Sequence, residues 1–211
     1  TAFPAVFDSD SLDGSNGFTL IGPTQNFGQF GLGGFAGDIN GDGFDDVVAS
    51  KVNLNGEVFV VYGKSSGFSS QVRVADLDGT DGFRITAEIE RGEEVRFGRF
   101  PSTAGDFNGD GCADIVFGDS QSAVNGNRSG QAYVLFGSPT PLPATFDGST
   151  LDGTNGFALN GIDADDWAGE RTQNVGDLNG DGFDDIGIGA DRADTNSGEA
   201  YVVFGAAGGF P

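Results

Sequence analysis

The sequence contains no histidine and no methionine, and its only cysteine is Cys112. Without histidine, the chain lacks the usual general base of serine and cysteine hydrolases and the commonest protein ligand of transition metals. We therefore expect neither enzymatic activity nor catalytic residues. A single cysteine excludes an intrachain disulfide, and we expect Cys112 to be a structural, partly buried thiol. The missing initiator methionine and the absence of a signal-like start point to a processed chain or a fragment.

Cations are also scarce, because 10 Lys and Arg residues face 32 Asp and Glu residues, for a net charge of −22. Nucleic acid is excluded as a partner, since phosphate binding requires a basic surface. No apolar run approaches the ~18 residues of a membrane-spanning helix, so we expect no membrane insertion. The neighbouring cations Arg91, Arg96 and Arg99 form either an anion site or, as we expect, local ion pairs. Adjacent acidic pairs are interpreted as solvated surface residues: Glu93-Glu94, Asp165-Asp166 and Asp184-Asp185.

One acidic stretch of nine residues occurs three times, at 38–46, 106–114 and 177–185. Each copy has oxygen-bearing side chains at loop positions 1, 3, 5 and 9 and glycine at position 6. A hard cation such as Ca²⁺ takes about six to eight oxygen ligands, and the glycine lets position 7 offer its backbone carbonyl. The predicted metal ligands are therefore Asp38, Asn40, Asp42, Phe44 and Asp46; Asp106, Asn108, Asp110, Cys112 and Asp114; and Asp177, Asn179, Asp181, Phe183 and Asp185.

These loops are not EF-hands. An EF-hand needs a glutamate at position 12, where this chain has Ala49, Phe117 and Ile188. The apolar residues that follow each loop are typical of β-strands, so each loop is predicted to link strand to strand. Asp, Asn and Gly also favour ordinary turns. Three copies of the same carboxylate pattern favour a cation instead, because the carboxylates would otherwise repel one another.

The loops recur after 68 and then 71 residues, within a larger repeat. Each repeat opens with Leu-Asp-Gly-x-(Asn or Asp)-Gly-Phe and ends with an apolar strand followed by glycine. About four short strands in ~70 residues, with 38 glycines and 20 phenylalanines in the chain, are typical of a propeller blade. We predict an all-β fold of three four-stranded blades in one continuous domain: 1–70, 71–143 and 144–211.

With these motifs, the chain resembles FG-GAP repeats, the blades of the integrin-alpha-like β-propeller, in the form found in bacterial secreted and surface proteins. The resemblance rests on Phe97-Gly98 nine residues before Asp106, and on Gly-Asp-x-Asn-Gly-Asp-Gly at 37–43, 105–111 and 176–182. The Phe-Gly element is irregular in the other repeats. Repeat one has Phe27-Gly28 and Phe30-Gly31; repeat three has Trp167-Ala168-Gly169, in which Trp167 is expected to replace the phenylalanine.

The resemblance also implies how strands are shared between blades. In the family, the strand after Leu-Asp-Gly-x-Asn-Gly-Phe is the outermost strand of the preceding blade. Phe18–Leu20 would then start the chain as an orphan outer strand, and the blade that ends at Phe204 would lack one. Strand addition between copies would give a closed ring or a filament; a fragment of a longer array is the alternative.

The function implied by this resemblance is a calcium-binding structural and adhesion module outside the cell, at the cell surface or secreted. We expect about three Ca²⁺ ions, one per repeat, and as partners other copies of the chain, an extracellular protein or a glycan. Two alternatives remain: a lectin-like propeller that stacks a sugar on Trp167, and the non-catalytic propeller of a larger secreted hydrolase.

Overall fold

The computed structural model describes residues 8–23, 29–52, 56–87 and 96–208, with only the backbone described for Leu32. The fold is all-β, as predicted, apart from single helical turns at Ser9–Ser11, Val74–Asp76, Gly148–Thr150 and Ala193–Asn196. In the described part of the chain, no helix is long and apolar enough to cross a membrane. The strands are β1 (Thr19–Ile21), β2 (Gln29–Gly37), β3 (Asp46–Val52), β4 (Glu57–Val61), β5 (Gln71–Arg73), β6 (Gly82–Thr86), β7 (Arg99–Gly105), β8 (Asp114–Asp119), β9 (Gln131–Leu135), β10 (Thr145–Asp147), β11 (Gly156–Asn160), β12 (Ala168–Gly176), β13 (Asp185–Ala190) and β14 (Glu199–Val203).

The strands form successive antiparallel sheets of the propeller type. Blade A consists of β2, β3, β4 and β6, and blade B consists of β7, β8, β9 and β11. Blade C contains β12, β13 and β14. Three consecutive strands in each blade come from one repeat, so each sheet grows locally along the chain.

The fourth strand of blades A and B comes from the next repeat, as the resemblance implied. Strand β6 follows the second Leu-Asp-Gly motif and pairs with β4, while β11 follows the third motif and pairs with β9. Strand β1 follows the first motif, and its partner among the described residues is β5. In the same part of the structure, β14 pairs with β13 alone. Strand β1 therefore lies outside the three blades, and blade C has no outer strand among the described residues.

Two edge strands were not anticipated from the sequence. Strand β10 pairs in parallel with β6, the outer strand of blade A. The strands before and after β10 in the sequence, β9 and β11, both belong to blade B. Strand β5 pairs with β1 in the same way. Each has only three residues, too few for an alternating pattern to appear in the sequence. Strand β10 thus links blade B to the outer strand of blade A, and β5 links blade A to β1.

The core lies between successive blades. One buried cluster contains Val60 of blade A with Ile115 and Phe117 of blade B, and a second contains Val134 of blade B with Ile188 of blade C. The last strand of each repeat is apolar with little alternation, a pattern typical of strands covered on both faces. That holds for β4, but β14 is partly exposed because the described residues place no further blade against it.

Candidate metal centres

Each predicted metal loop lies between the first and second strands of a blade. Loop 1 runs from β2 to β3, loop 2 from β7 to β8, and loop 3 from β12 to β13. Position 9 of each loop is the first residue of the second strand. Each loop thus links strand to strand, as expected from the apolar runs that follow it.

The position-9 carboxylates are buried beneath the loops, with 1% or less of their surface exposed: Asp46, Asp114 and Asp185. One oxygen accepts the N–H of position 2, at 2.9, 2.9 and 2.8 Å in loops 1 to 3. The other accepts the N–H of the glycine that follows the third strand, at 2.7, 2.8 and 3.0 Å: Gly63, Gly137 and Gly205. Each carboxylate therefore ties its loop to two strands. Asp114 also accepts the N–H of Asn108, at 3.3 Å, and the lone pairs that these bonds leave unused stay available.

Burial raises the pKa of two of these carboxylates, those of Asp46 and Asp114. Desolvation raises the pKa of Asp46 to about 6 and that of Asp114 to about 7, although the backbone hydrogen bonds oppose the shift. The carboxylates at loop positions 1 and 5 add to the increase for Asp46, since like charges disfavour a further negative charge. The structure thus gathers negative charge at a place where protein cations are scarce.

The side chains at positions 1, 3 and 5 make three hydrogen bonds that are shared by all three loops. The Asp at position 1 accepts the N–H of the glycine at position 6, at 2.8, 3.1 and 2.9 Å. The Asn at position 3 accepts the N–H of position 5, at 3.1, 2.9 and 2.9 Å. The Asp at position 5 accepts the N–H of position 7, at 2.9, 2.9 and 3.0 Å. The three loops are therefore one structure repeated.

Glycine is required at position 6, as predicted from its role in the turn. Gly43, Gly111 and Gly182 have φ values of +90°, +89° and +95°, in the left-handed region that other residues rarely adopt. The glycine at position 4 also has positive φ in every loop. Its importance was not recognised from the sequence, although its recurrence in all three loops was a visible signal.

The loop residues fit a hard cation. Asp106 Oδ1 is buried and, among the described residues, has no hydrogen-bond partner; such an acceptor calls for a cation or another donor. The other side chains at positions 1, 3 and 5 also offer oxygen atoms as metal ligands, and Ca²⁺ prefers oxygen ligands. No group of three or more His, Cys, Asp or Glu side chains is gathered into a metal cluster in the described residues. The role of position 9 as a metal ligand therefore stays a prediction.

Position 7 contributes only its backbone to the predicted site, because its side chain faces elsewhere. Cys112 is 4% exposed, and burial together with the acidic loop raises the pKa of its thiol to about 11. Such a thiol is protonated and shielded at neutral pH, which makes it unreactive. The expected structural role of Cys112 is therefore supported, and its equivalents are Phe44 and Phe183.

Neighbouring loops contact one another directly, which the sequence did not reveal. The carbonyl of Asp38 in loop 1 accepts the N–H of Ala113 in loop 2, at 2.8 Å, and Asp106 accepts in the same way from Asp184 in loop 3, at 3.4 Å. A Cβ atom added at the position-4 glycine of loop 2 would lie 2.2 Å from the ring of Phe183. Loop 2 therefore contacts both loop 1 and loop 3.

Two arginines of repeat two form ion pairs, but their partner is Glu170 in β12 of blade C, so the pairing joins two blades and the expected local pairing is wrong. Arg99 and Arg96 both contact the carboxylate of Glu170, the latter at 3.8 Å. Arg91 and Glu93-Glu94 lie outside the described residues, as does Phe27-Gly28. The expectation that the other acidic pairs are simply solvated is wrong, because Asp166 and Asp185 are buried and accept backbone N–H groups.

Trp167 does not replace the phenylalanine of the Phe-Gly element. Gly98 and Gly169 share a positive φ at the start of β7 and β12, so Ala168 takes the place of Phe97, and both are fully buried. Trp167 instead lies against the guanidinium of Arg192, 3.7 Å from the ring centroid. The correction follows from backbone conformation, which residue type alone did not reveal.

Comparison with known proteins supports the repeat assignment. The FG-GAP repeat family model matches residues 97–135 and 174–203, which include the second and third loops. Over 171 residues the chain is 27% identical to integrin alpha-4 of Xenopus laevis, covering 79% of this chain and 15% of that protein. Over 193 residues it is 30% identical to phosphatidylinositol-glycan-specific phospholipase D of Dictyostelium discoideum, covering 87% of this chain and 20% of that protein. The chain spans a fifth or less of these relatives.

Proposed function

The chain carries FG-GAP repeats, and we propose that it is a calcium-binding structural and adhesion module that acts outside the cell without catalysis of its own. The observation that carries the proposal is the threefold repetition of one hydrogen-bonded loop, together with the unpaired buried oxygen of Asp106. The similarity to an integrin alpha subunit supports an extracellular location, and the expected partners are an extracellular protein or a glycan.

In each loop, Ca²⁺ would be held by the side chains at positions 1, 3 and 5 and by the carbonyl at position 7, with position 9 as the closing ligand. The bound ion supplies positive charge, which offsets repulsion among the loop carboxylates. The chain itself supplies the mechanical link, because position 9 also bonds the glycine after the third strand. An ordered loop therefore fixes three strands of its blade.

The effect of calcium on stability should be substantial. If each site binds with a dissociation constant of about 0.1 mM and calcium is about 2 mM, occupancy stabilises the fold by roughly 1–2 kcal/mol per site. Three such sites amount to several kcal/mol, a large part of the usual stability of about 5–15 kcal/mol. Millimolar calcium is found outside cells, which is consistent with weak sites.

The test is thermal unfolding in excess Ca²⁺ and in chelator, with wild type, Asp110→Ala and Asp163→Ala. Asp163 is exposed and lies outside the loops, so Asp163→Ala matches the change in charge. We expect chelation to lower the melting temperature of wild type and Asp163→Ala strongly and that of Asp110→Ala less. We also expect Asp110→Ala to melt below any single surface variant in calcium. A wild-type melt that is unchanged by chelator, or an Asp110→Ala melt equal to wild type in calcium, would refute the proposal.

A second candidate is the non-catalytic propeller of a larger secreted hydrolase. Its support is the similarity to the phosphatidylinositol-glycan-specific phospholipase D, which covers 87% of this chain but only 20% of that protein. The two candidates share the calcium loops and differ in what is attached. The lectin-like alternative has less support, since one ring face of Trp167 contacts Arg192.

A further inference from the structure

Loop 3 contacts the start of loop 2 through one residue, Asp184, at position 8 of its loop. The Oδ2 atom of Asp184 accepts the backbone N–H of Asp106 at 3.1 Å, and the backbone N–H of Asp184 donates to the carbonyl of Asp106 at 3.4 Å. Both backbone groups of the first predicted ligand in loop 2 are therefore held by a residue of blade C. Asp184 itself stands between two predicted ligands of loop 3, Phe183 and Asp185.

The backbone around this contact leaves room for the carboxylate. The residue directly before Asp106 is Gly105, where an added Cβ atom would overlap both the carboxylate of Asp184 and the side-chain amide of Asn174. The carboxylate thus fills the space that a side chain at residue 105 would need. Because Asp184 is also half-buried, its contact with Asp106 belongs to the packed interface between blades B and C.

The equivalent contact between loops 1 and 2 lacks the carboxylate. Position 8 of loop 2 is Ala113, whose backbone N–H donates to the carbonyl of Asp38 at 2.8 Å. That bond corresponds to the backbone bond of Asp184, but Ala113 has no side-chain oxygen that could accept the N–H of Asp38. Its Cβ atom lies against Gly37, as the carboxylate of Asp184 lies against Gly105. The chain therefore contains one pair of neighbouring loops with the side-chain link and one pair without it.

The side chain of Asp106 also differs from its equivalents. The Oδ1 atoms of Asp38 and Asp177 accept the N–H of the aspartate at position 5 of their loops, at 3.0 and 3.1 Å. Asp106 Oδ1 is buried and accepts no hydrogen bond among the described residues, while its Oδ2 accepts the N–H of Gly111 at 3.1 Å. The aspartate that Asp184 holds is thus the one with an oxygen left for a cation.

We propose that Asp184 is a positioning residue shared by two metal loops, through which loops 2 and 3 bind Ca²⁺ cooperatively. The inference rests on the proposed calcium function and adds the coupling between its sites. An ion in loop 2 orders Asp106, and Asp184 extends that order to the neighbouring ligands of loop 3, so the second ion binds a loop that is already ordered. The negative charge of Asp184, where the two loops meet, also offsets repulsion between the two cations. Loops 1 and 2 lack this link and bind independently.

The experiment measures Ca²⁺ binding by isothermal titration calorimetry in variants that retain two of the three loops. Asp42→Ala removes the position-5 carboxylate of loop 1 and leaves loops 2 and 3, whereas Asp181→Ala removes that of loop 3 and leaves loops 1 and 2. We expect a Hill coefficient of about 1.4 or more in Asp42→Ala, the value for two like sites coupled about fivefold, and of about 1 in Asp181→Ala.

The role of Asp184 is tested in the Asp42→Ala background. Adding Asp184→Ala should lower the Hill coefficient to about 1 and weaken binding about fivefold or more, because the link between the loops is lost. Asp184→Asn keeps an oxygen that can accept the N–H of Asp106 and should remain cooperative. Asp163→Ala removes an exposed charge outside the loops and should leave the coefficient unchanged. Circular dichroism checks that each variant is folded.

The outcomes separate this inference from the calcium proposal. A wild type that binds no Ca²⁺ overturns both. A Hill coefficient of about 1 in Asp42→Ala, or one that Asp184→Ala leaves unchanged, overturns the coupling alone, since Ca²⁺ still binds. A purely structural Asp184 would lower the melting temperature of Asp184→Ala in chelator without changing the Hill coefficient, so a fall in the coefficient is the result that only the coupling role gives.

Discussion

Removing the carboxylate of Asp114 should destabilise the fold more than removing a carboxylate from the open part of the same loop. Asp114 is fully buried and accepts the N–H groups of Phe107 at 2.9 Å, Asn108 at 3.3 Å and Gly137 at 2.8 Å. These bonds join the start of the loop, the first residue of β8 and the end of β9. Water cannot easily replace the lost acceptor, because the bonds to Phe107 and Gly137 are both buried.

The magnitude follows from the groups left behind in Asp114→Ala. Each buried N–H that loses its acceptor costs about 1–3 kcal/mol, so two well-buried donors imply a loss of about 3–5 kcal/mol. The cost of burying the charge, which raises the pKa of Asp114 to about 7, is removed at the same time and keeps the loss below the upper limit. Asp114→Asn retains one carbonyl acceptor and should lose about half as much.

The assay is urea unfolding of Asp114→Ala, Asp114→Asn and Asp110→Ala, each in calcium and in chelator. Asp110 is exposed and bonds Cys112 and Asn108 within the loop, so its loss should matter chiefly when calcium is present. The loss in Asp114→Ala should persist in chelator, because its hydrogen bonds need no cation. A loss below ~1 kcal/mol in chelator would refute the role of Asp114 as a link between strands. A loss seen only in calcium would show that Asp114 acts as a ligand alone.

Three further outcomes are expected. Gly109→Ala should be less stable than Gly180→Ala by about 1–3 kcal/mol. The two glycines have nearly equal φ values, +74° and +76°, but only at Gly109 would the added Cβ meet the ring of Phe183, at 2.2 Å. Equal stabilities of the two variants would argue against contact between the loops. Cys112 should react slowly with a thiol reagent at neutral pH and rapidly after unfolding, and fast labelling of the folded protein would contradict its burial. The fluorescence of Trp167 should not respond to simple sugars, and a saturable change would favour the lectin-like alternative.

Local chemistry determined much of what the sequence predicted. The three loops were identified and their glycine at position 6 explained, because short-range bonds such as Gly43 N–H to Asp38 arise within the nine residues themselves. The all-β fold and the sharing of outer strands were likewise predicted and confirmed. Calcium binding and the full set of ligands stay predictions.

Tertiary structure decided how the loops are connected to the rest of the molecule. The second acceptor oxygen of Asp114 bonds Gly137, 23 residues away, and Ala113 bonds Asp38 in another blade, so no local pattern could reveal either contact. The same sequence pattern also gave buried Val60 and exposed Val202, because burial depends on whether another blade lies alongside. Sequence alone thus determined the shape of each loop, where the bonding groups are neighbours in the chain. Only packing between blades determined which side chains are covered, since those partners come from distant repeats.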